Sequence, residues 1–236
     1  MDEVLSRNGS PAEEPVRAGR LYAKDFWSDE NLKYVEPHFR MLKLARIVTR
    51  LAEGRTPSLL DIGCGPATLR RLIPPTIEYH GVDIAIHEKD PNLMEADIVS
   101  SPITFGDQKF DIVVAQGFFE YVGEYQSQKF DEIARLLAPG GTFIASYVNF
   151  AHRKPDIYAR YSNVRPIEDF RRDLERNFTI REFFPTSHNW THTEPNRRLI
   201  RAGNMRLNAN VPFLTPRLAV QYVLICTARE QASPGL

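Results

Sequence analysis

The chain has 236 residues, enough for one domain with a substantial buried core and too few for two full domains. Hydrophobic residues make up 42% and charged residues 25%, with 14 Phe and 9 Tyr, which excludes a disordered, collagenous or low-complexity protein. Thirty Lys and Arg balance thirty Asp and Glu, so no net field draws the molecule onto nucleic acid or an anionic membrane, and Cys64 and Cys226 alone make neither a disulfide framework nor a metal-ligand spacing.

Residues 1–20 mix Ser, Gly, Pro, Glu and Arg without apolar periodicity and read as a disordered tail, as does the short stretch 231–236. The opening is acidic where a signal peptide is basic and then apolar, and no run of about 18 apolar residues is present to span a bilayer. A soluble, cytoplasmic protein is the expectation, with residues 21–230 forming a single domain. Its N-terminal cap, 21–56, begins with the aromatic cluster Tyr22, Phe26 and Trp27, which packs a helix start or closes over a pocket. Leu32, Val35, Phe39, Leu42, Ile47 and Leu51 then recur near the helical period and predict a helix from Asn31 to Glu53, stopped by Gly54.

Residues 57–150 repeat one pattern. SLLDIG, IEYHGVD, the shorter LMEAD, DIVVAQG and GTFIASYV are apolar runs ending at a polar residue or Gly, as in parallel strands covered on both faces. A helix over Tyr121–Leu137 leads to the turn APGG. Beyond Tyr147, NVRPIEDFRRDLERNF predicts a helix with Pro166 in its first turn, TIREFF a strand, and RLAVQYVLICTA a buried closing strand. The pattern predicts an α/β fold, doubly wound, with a mostly parallel seven-stranded sheet and helices on both faces. Between the last two strands, 185–217 is rich in Pro, Asn, His and Arg and reads as a substrate-shaping insertion.

The chemistry concentrates in LLDIGCGPATL, residues 59–69, where a strand runs into Gly63, Cys64 and Gly65 and then a helix opened by Pro66. Glycines let the backbone turn tightly beside a ligand, and a helix N-terminus offers amides to an anion. Asp61 precedes the turn, and Asp83 ends the next strand 20 residues after Gly63, where a dinucleotide fold places its ribose acceptor. Thr68 stands where the dinucleotide fingerprint has Gly or Ala, which leaves a nicotinamide or flavin enzyme as the lesser reading. An α/β protein with a tight turn and no ligand is another.

DIGCGPAT, GVDI, EADI, FDIVVAQGFFEYV and LAPGGTFI, in this order over about residues 57–150, resemble the ordered motifs of the class I S-adenosylmethionine-dependent methyltransferases. The resemblance implies that S-adenosyl-L-methionine is the cofactor. It places the methionine part at Asp61, Gly63 and Gly65, the ribose at Asp83 beside Ile84, the adenine at Asp97 and Ile98, and the departing methyl beside Gln116 and Gly117. Phe118, Phe119, Glu120 and Tyr121 would line the acceptor pocket, with Trp27 and Arg197 as further substrate contacts. The Asn-Pro-Pro-Tyr type tetrapeptide of amide and nucleobase N-methyltransferases is absent.

A hydroxyl acceptor needs its proton removed, and His152, His188 and His192 are the candidate bases, with Glu120 an alternative. His188 and His192 have a metal-ligand spacing but no third ligand, so no metal is assigned. Residues 1–150 carry a net charge of −6 and residues 151–236 a net +6, the latter including Arg197, Arg198, Arg201 and Arg206. This patch suits a carboxylate, phosphate, nucleotide-sugar or acidic carrier, or is a solvated face. The expectation is O-methylation of a small-molecule or sugar acceptor in specialised metabolism or glycan modification, with no nucleic acid and no membrane insertion. Small-molecule N-methylation, an RNA or protein methyltransferase, and a non-catalytic cofactor-binding subunit are the alternatives.

Overall fold

The computed structural model describes residues 24–151, 161–188, 208 and 210–229. The predicted tails and most of the predicted insertion lie outside these residues. Seven strands form one sheet: β1 Ser58–Ile62, β2 Glu78–Asp83, β3 Leu93–Glu95, β4 Phe110–Ala115, β5 Leu137–Val148, β6 Phe178–His188 and β7 Ala219–Ala228. The helices are α1 Lys24–Glu30, α2 Phe39–Leu51, α3 Gln126–Leu136, α4 Ile167–Leu174 and α5 Thr215–Leu218.

The strand order is β3-β2-β1-β4-β5-β7-β6, parallel from β3 through β5, with β7 antiparallel to both neighbours. The order reverses between β1 and β4, and a crevice forms where loops leave these strands in opposite directions. Side chains alternate across the sheet. In β4, Ile112 and Val114 face a core completed by Leu44, Ile47 and Val48 of α2, while Val113 and Ala115 face one built with Phe130 and Ile133 of α3 and Phe170 of α4. Helices therefore cover both faces, as the apolar runs predict. None among the described residues is long and apolar enough to cross a membrane.

Three predicted helices are shorter than their periodicity. The helix expected from Asn31 begins at Phe39, because Pro37 biases Glu36 away from helical geometry and His38 takes an extended conformation as N-cap, accepting the Arg40 amide on Nδ1. Asn31–Tyr34 is a separate 3₁₀ turn. The helix expected after Gly65 is a single 3₁₀ turn, Thr68–Arg71, since Ala67 is left-handed at φ 51° and Pro74 and Pro75 leave no room for propagation. The helix expected from Tyr121 starts at Gln126, because Gly123 at φ 53° breaks the run into two 3₁₀ turns, Phe119–Tyr121 and Gly123–Tyr125. Conversely, the strand TIREFF extends to His188, so the connection to β7 begins later than the sequence suggests.

The first of those 3₁₀ turns decides the fate of Phe119. Its ring is fully buried, 4.7 Å from Phe130 and 5.3 Å from Phe170, the latter stacked on Tyr147 at 4.2 Å. It is a core residue and does not face an acceptor. Phe119→Ala is expected to cost about 3 kcal/mol or more in denaturant unfolding through the cavity it leaves. The folded fraction is expected to bind S-adenosylhomocysteine as the wild type does, and calorimetry on folded protein checks this.

Candidate functional site

At the end of β1 the chain leaves the sheet through Gly63 and Gly65, at φ 73° and 53°, a left-handed region that a side chain would strain. The amides of Gly63 and Cys64 both donate to the Val82 carbonyl, at 2.8 and 3.2 Å, which docks the turn onto β2. Cys64 packs against Gly81, where an added Cβ would stand 2.8 Å from its Sγ. The turn is thus fixed from below, and its upper surface lines a cleft.

One wall of the cleft is Asp83. Its Oδ2 accepts the Gly65 amide at 2.8 Å, and its Oδ1 accepts the Ala85 amide and Asn31 Nδ2, both at 3.1 Å. Burial pushes the Asp83 carboxyl above its usual range, and these donors oppose the shift. Asn31 also donates to the Ala85 carbonyl, so the N-terminal cap is tied to the end of β2. Oδ1 thus carries two donors and Oδ2 one, which leaves a lone-pair site on Oδ2 for a ligand hydroxyl. Beside it, Ile84, Ile98 and Asp97 continue the wall. Burial works against charge at Asp97, but hydrogen bonds from Ser100 and Val99 outweigh it and hold the carboxyl below its usual range.

Across the glycine turn, the cleft passes Gln116 and Gly117 at the end of β4 and reaches Phe118, Glu120 and Tyr121. Trp27 of α1 meets Tyr121 edge-on at 5.1 Å, and Tyr161 lies 5.5 Å from Tyr121 on its other side. Tyr34 and His38 complete the aromatic lining. Arg40 also lines the cleft, and its guanidinium has no hydrogen-bond or ion-pair partner among the described residues. Glu120 is 1% exposed, and burial raises its carboxyl to about 7.

The structure brings Gly63, Gly65, Asp83, Ile84, Asp97, Ile98, Gln116, Gly117, Phe118, Glu120, Tyr121 and Trp27 to one cleft. Asp61 is not on its wall. It lies within β1, 4% exposed, accepting the hydroxyl of Tyr79 of β2 at 2.8 Å. His152, His192 and Arg197 lie outside the described residues, and His188 ends β6. The sequence reading passed over Asn31, Tyr34, Arg40 and Tyr161. Only the break at Pro37 signals that Asn31 and Tyr34 leave the amphipathic helix and turn toward the sheet.

Burial raises the Asp61 carboxyl to about 7, with the Tyr79 hydrogen bond opposing and the charge of Asp83 reinforcing the shift. The folded state then holds this proton more tightly than the unfolded chain, so its stabilising effect is present near pH 4 and is lost as pH rises towards 7. Asp61→Asn is therefore expected to raise the melting temperature at pH 8 by about 5 °C and leave it nearly unchanged at pH 4, as differential scanning calorimetry would show.

The family described as "Methyltransferase domain" matches residues 60–145, which span the glycine turn, Asp83, Asp97 and Glu120. No curated protein matches the sequence. Among solved structures, the chain is similar to the CcbJ methyltransferase from Streptomyces caelestis at 14% identity and a TM-score of 0.58, covering 89% of this chain and 98% of that one. It is also similar to the putative methyltransferase solved with the Haloferax volcanii Trm112 activator, at 18% identity and a TM-score of 0.58, over 88% and 96% of the two chains. The plantazolicin methyltransferase BpumL, solved with a triazolic desmethyl analogue and S-adenosylhomocysteine, gives 16% identity and a TM-score of 0.57 over 91% and 99%. At these identities the likeness is one of fold.

Proposed function

We propose that the chain is a class I S-adenosylmethionine-dependent methyltransferase that methylates a hydroxyl of a small molecule, in cytoplasmic specialised metabolism or glycan modification. The observation that carries this reading is the form of the cleft. A polar end at Asp83 and Asp97 runs without interruption past the glycine turn to an aromatic end formed by Trp27, Tyr34, Phe118, Tyr121 and Tyr161. Aromatic walls give a planar acceptor large contact area with little side-chain entropy lost. Such a cleft, roofed by the N-terminal cap, suits a compact acceptor better than a polymer.

The donor set fits the cofactor. Asp83 would accept a ribose hydroxyl, Ile84 and Ile98 would flank the adenine beside Asp97, and the turn at Gly63 and Gly65 would leave space for the methionine chain. The cofactor supplies a methyl group on a positively charged sulfur. For its carboxylate, the sequence suggests a helix N-terminus after Gly65, but a 3₁₀ turn stands there. Arg40, whose guanidinium has no hydrogen-bond or ion-pair partner among the described residues, is a group on the cleft wall that can meet an anion. The protein's work is otherwise to hold the acceptor in line with the methyl and to exclude water. The plantazolicin methyltransferase BpumL, similar in fold, is solved with both a triazolic desmethyl analogue and S-adenosylhomocysteine.

Calorimetric titration with S-adenosylhomocysteine, with NADH in parallel, tests the cofactor assignment. Saturable binding of the homocysteine compound alone is expected. Asp83→Ala is expected to weaken it by roughly tenfold or more, since a charged hydrogen-bond acceptor for the ribose is lost. Binding of NADH alone, or an undiminished affinity in Asp83→Ala, would count against the assignment. Transfer of labelled methyl to phenols and sugars, but not to RNA or protein, is the expected outcome for the acceptor class.

A further inference from the structure

Among the described residues, three buried oxygens in and behind the aromatic end of the cleft have no hydrogen-bond donor: Gln116 Oε1, Glu120 Oε2 and Gln221 Oε1. Buried polar atoms are nearly always paired, so a group of unpaired acceptors marks a place for a ligand that brings hydrogens. The surrounding network decides which oxygen of Glu120 stays open. The Val148 amide and Gln221 Nε2 both donate to Oε1, at 3.0 and 3.3 Å. Gln221 Nε2 is itself held by Ser146 Oγ at 2.8 Å, and Ser146 Oγ accepts the Gly117 amide at 2.9 Å. The donors from Val148 and Gln221 thus both engage Oε1, and Oε2 has no partner among the described residues.

The sheet order shows what would meet that oxygen, on the methyltransferase reading given above. Asp83 ends β2, the glycine turn ends β1, and Gln116 ends β4, in the spatial order β2-β1-β4. A cofactor with its ribose at Asp83 and its methionine chain over the glycine turn presents its sulfonium toward β4 and Glu120. We propose that Glu120 Oε2 faces the transferred methyl and takes the proton of the acceptor hydroxyl, making Glu120 the catalytic base. As the acceptor oxygen bonds to the methyl carbon, the sulfonium S–C bond breaks and its electron pair stays on sulfur. The O–H bond breaks, its electrons stay on oxygen, and the proton passes to Oε2 and then to water. Gln221 and Ser146 act as positioning residues.

Burial lifts the Glu120 carboxyl to about 7, which matches a base that gains and loses a proton near neutrality. Other groups act on it from each side. Arg40 from α2 favours its charged form, Tyr121 adjoins it, and Tyr147 of β5 interacts with it. Tyr34 and Tyr161 act on Tyr121, and His38 lines the same cleft. The Tyr121 and Tyr147 hydroxyls are pushed up by burial and stay neutral throughout the range in question.

The test needs no acceptor. Sinefungin carries an ammonium where the cofactor has its methylsulfonium, whereas S-adenosylhomocysteine is uncharged there. Calorimetry with both compounds, from pH 5.5 to 8.5, gives the ratio of their affinities. In the wild type the preference for sinefungin is expected to grow roughly tenfold as Glu120 ionises. In Glu120→Gln the preference should be small and flat, with S-adenosylhomocysteine affinity within about twofold of wild type. His38→Gln should keep the wild-type dependence, and it decides the matter with the wild type should Glu120→Gln fail to fold. A flat wild-type ratio, a Glu120→Gln ratio that still rises with pH, or loss of the dependence in His38→Gln would overturn the proposal. Failure of the wild type to bind S-adenosylhomocysteine would overturn the cofactor assignment itself, and the proposal with it.

Discussion

The carboxylate of Asp83 joins three segments that are far apart in the chain: the Gly65 amide after β1, the Ala85 amide after β2, and Asn31 from the cap. A buried carboxylate is tolerable only when donors surround it, and here the donors are the elements that must be aligned. The glycine turn cannot shift without removing a donor from Asp83. Nor can the cap rotate away without removing another. The geometry of the cleft mouth is therefore set by the requirement to keep one charge solvated by protein, and the cofactor would meet a surface already arranged.

The two ends of the cleft differ in how fully their polar groups are paired. At the β2 end, Asp83 has a donor on each oxygen, and Asp97 is held by its own turn. At the β4 end, Glu120 has donors on one oxygen and none on the other. A paired end keeps its shape with or without a ligand, whereas an unpaired end gains most when a donor arrives. That division suits a site in which one partner is constant and the other is the group to be recognised.

Much of this was legible in the sequence, for identifiable reasons. Strands buried on both faces are continuous apolar runs, so β1, β2, β4 and β5 could be read directly. The glycine turn facing Asp83 was legible too, because Gly63, Gly65 and Asp83 lie within one β-turn-β unit. Periodicity failed where a local breaker overrode it, at Pro37, at Pro74 and Pro75, and at Gly123. It also misassigned Phe119, since a 3₁₀ turn points neighbouring rings to different sides: Phe118 to the cleft, Phe119 to the core. Asn31, Arg40 and Gln221 carry no local mark, because their roles arise only when the cap and the last strand fold against β2 and β4.

The position of β7 bears on the order in which the protein becomes competent during synthesis. It follows the other six described strands in the chain, yet it lies between β5 and β6. Until it leaves the ribosome, β5 and β6 each present an unpaired edge, and the sheet ends at β5. The turn, Asp83 and the cap are all encoded earlier and can assemble on the nascent chain. Gln221, which donates to Glu120 Oε1, arrives only with β7. Vectorial synthesis would thus complete the surroundings of Glu120 after the other described strands have been made, around the gap that β7 fills.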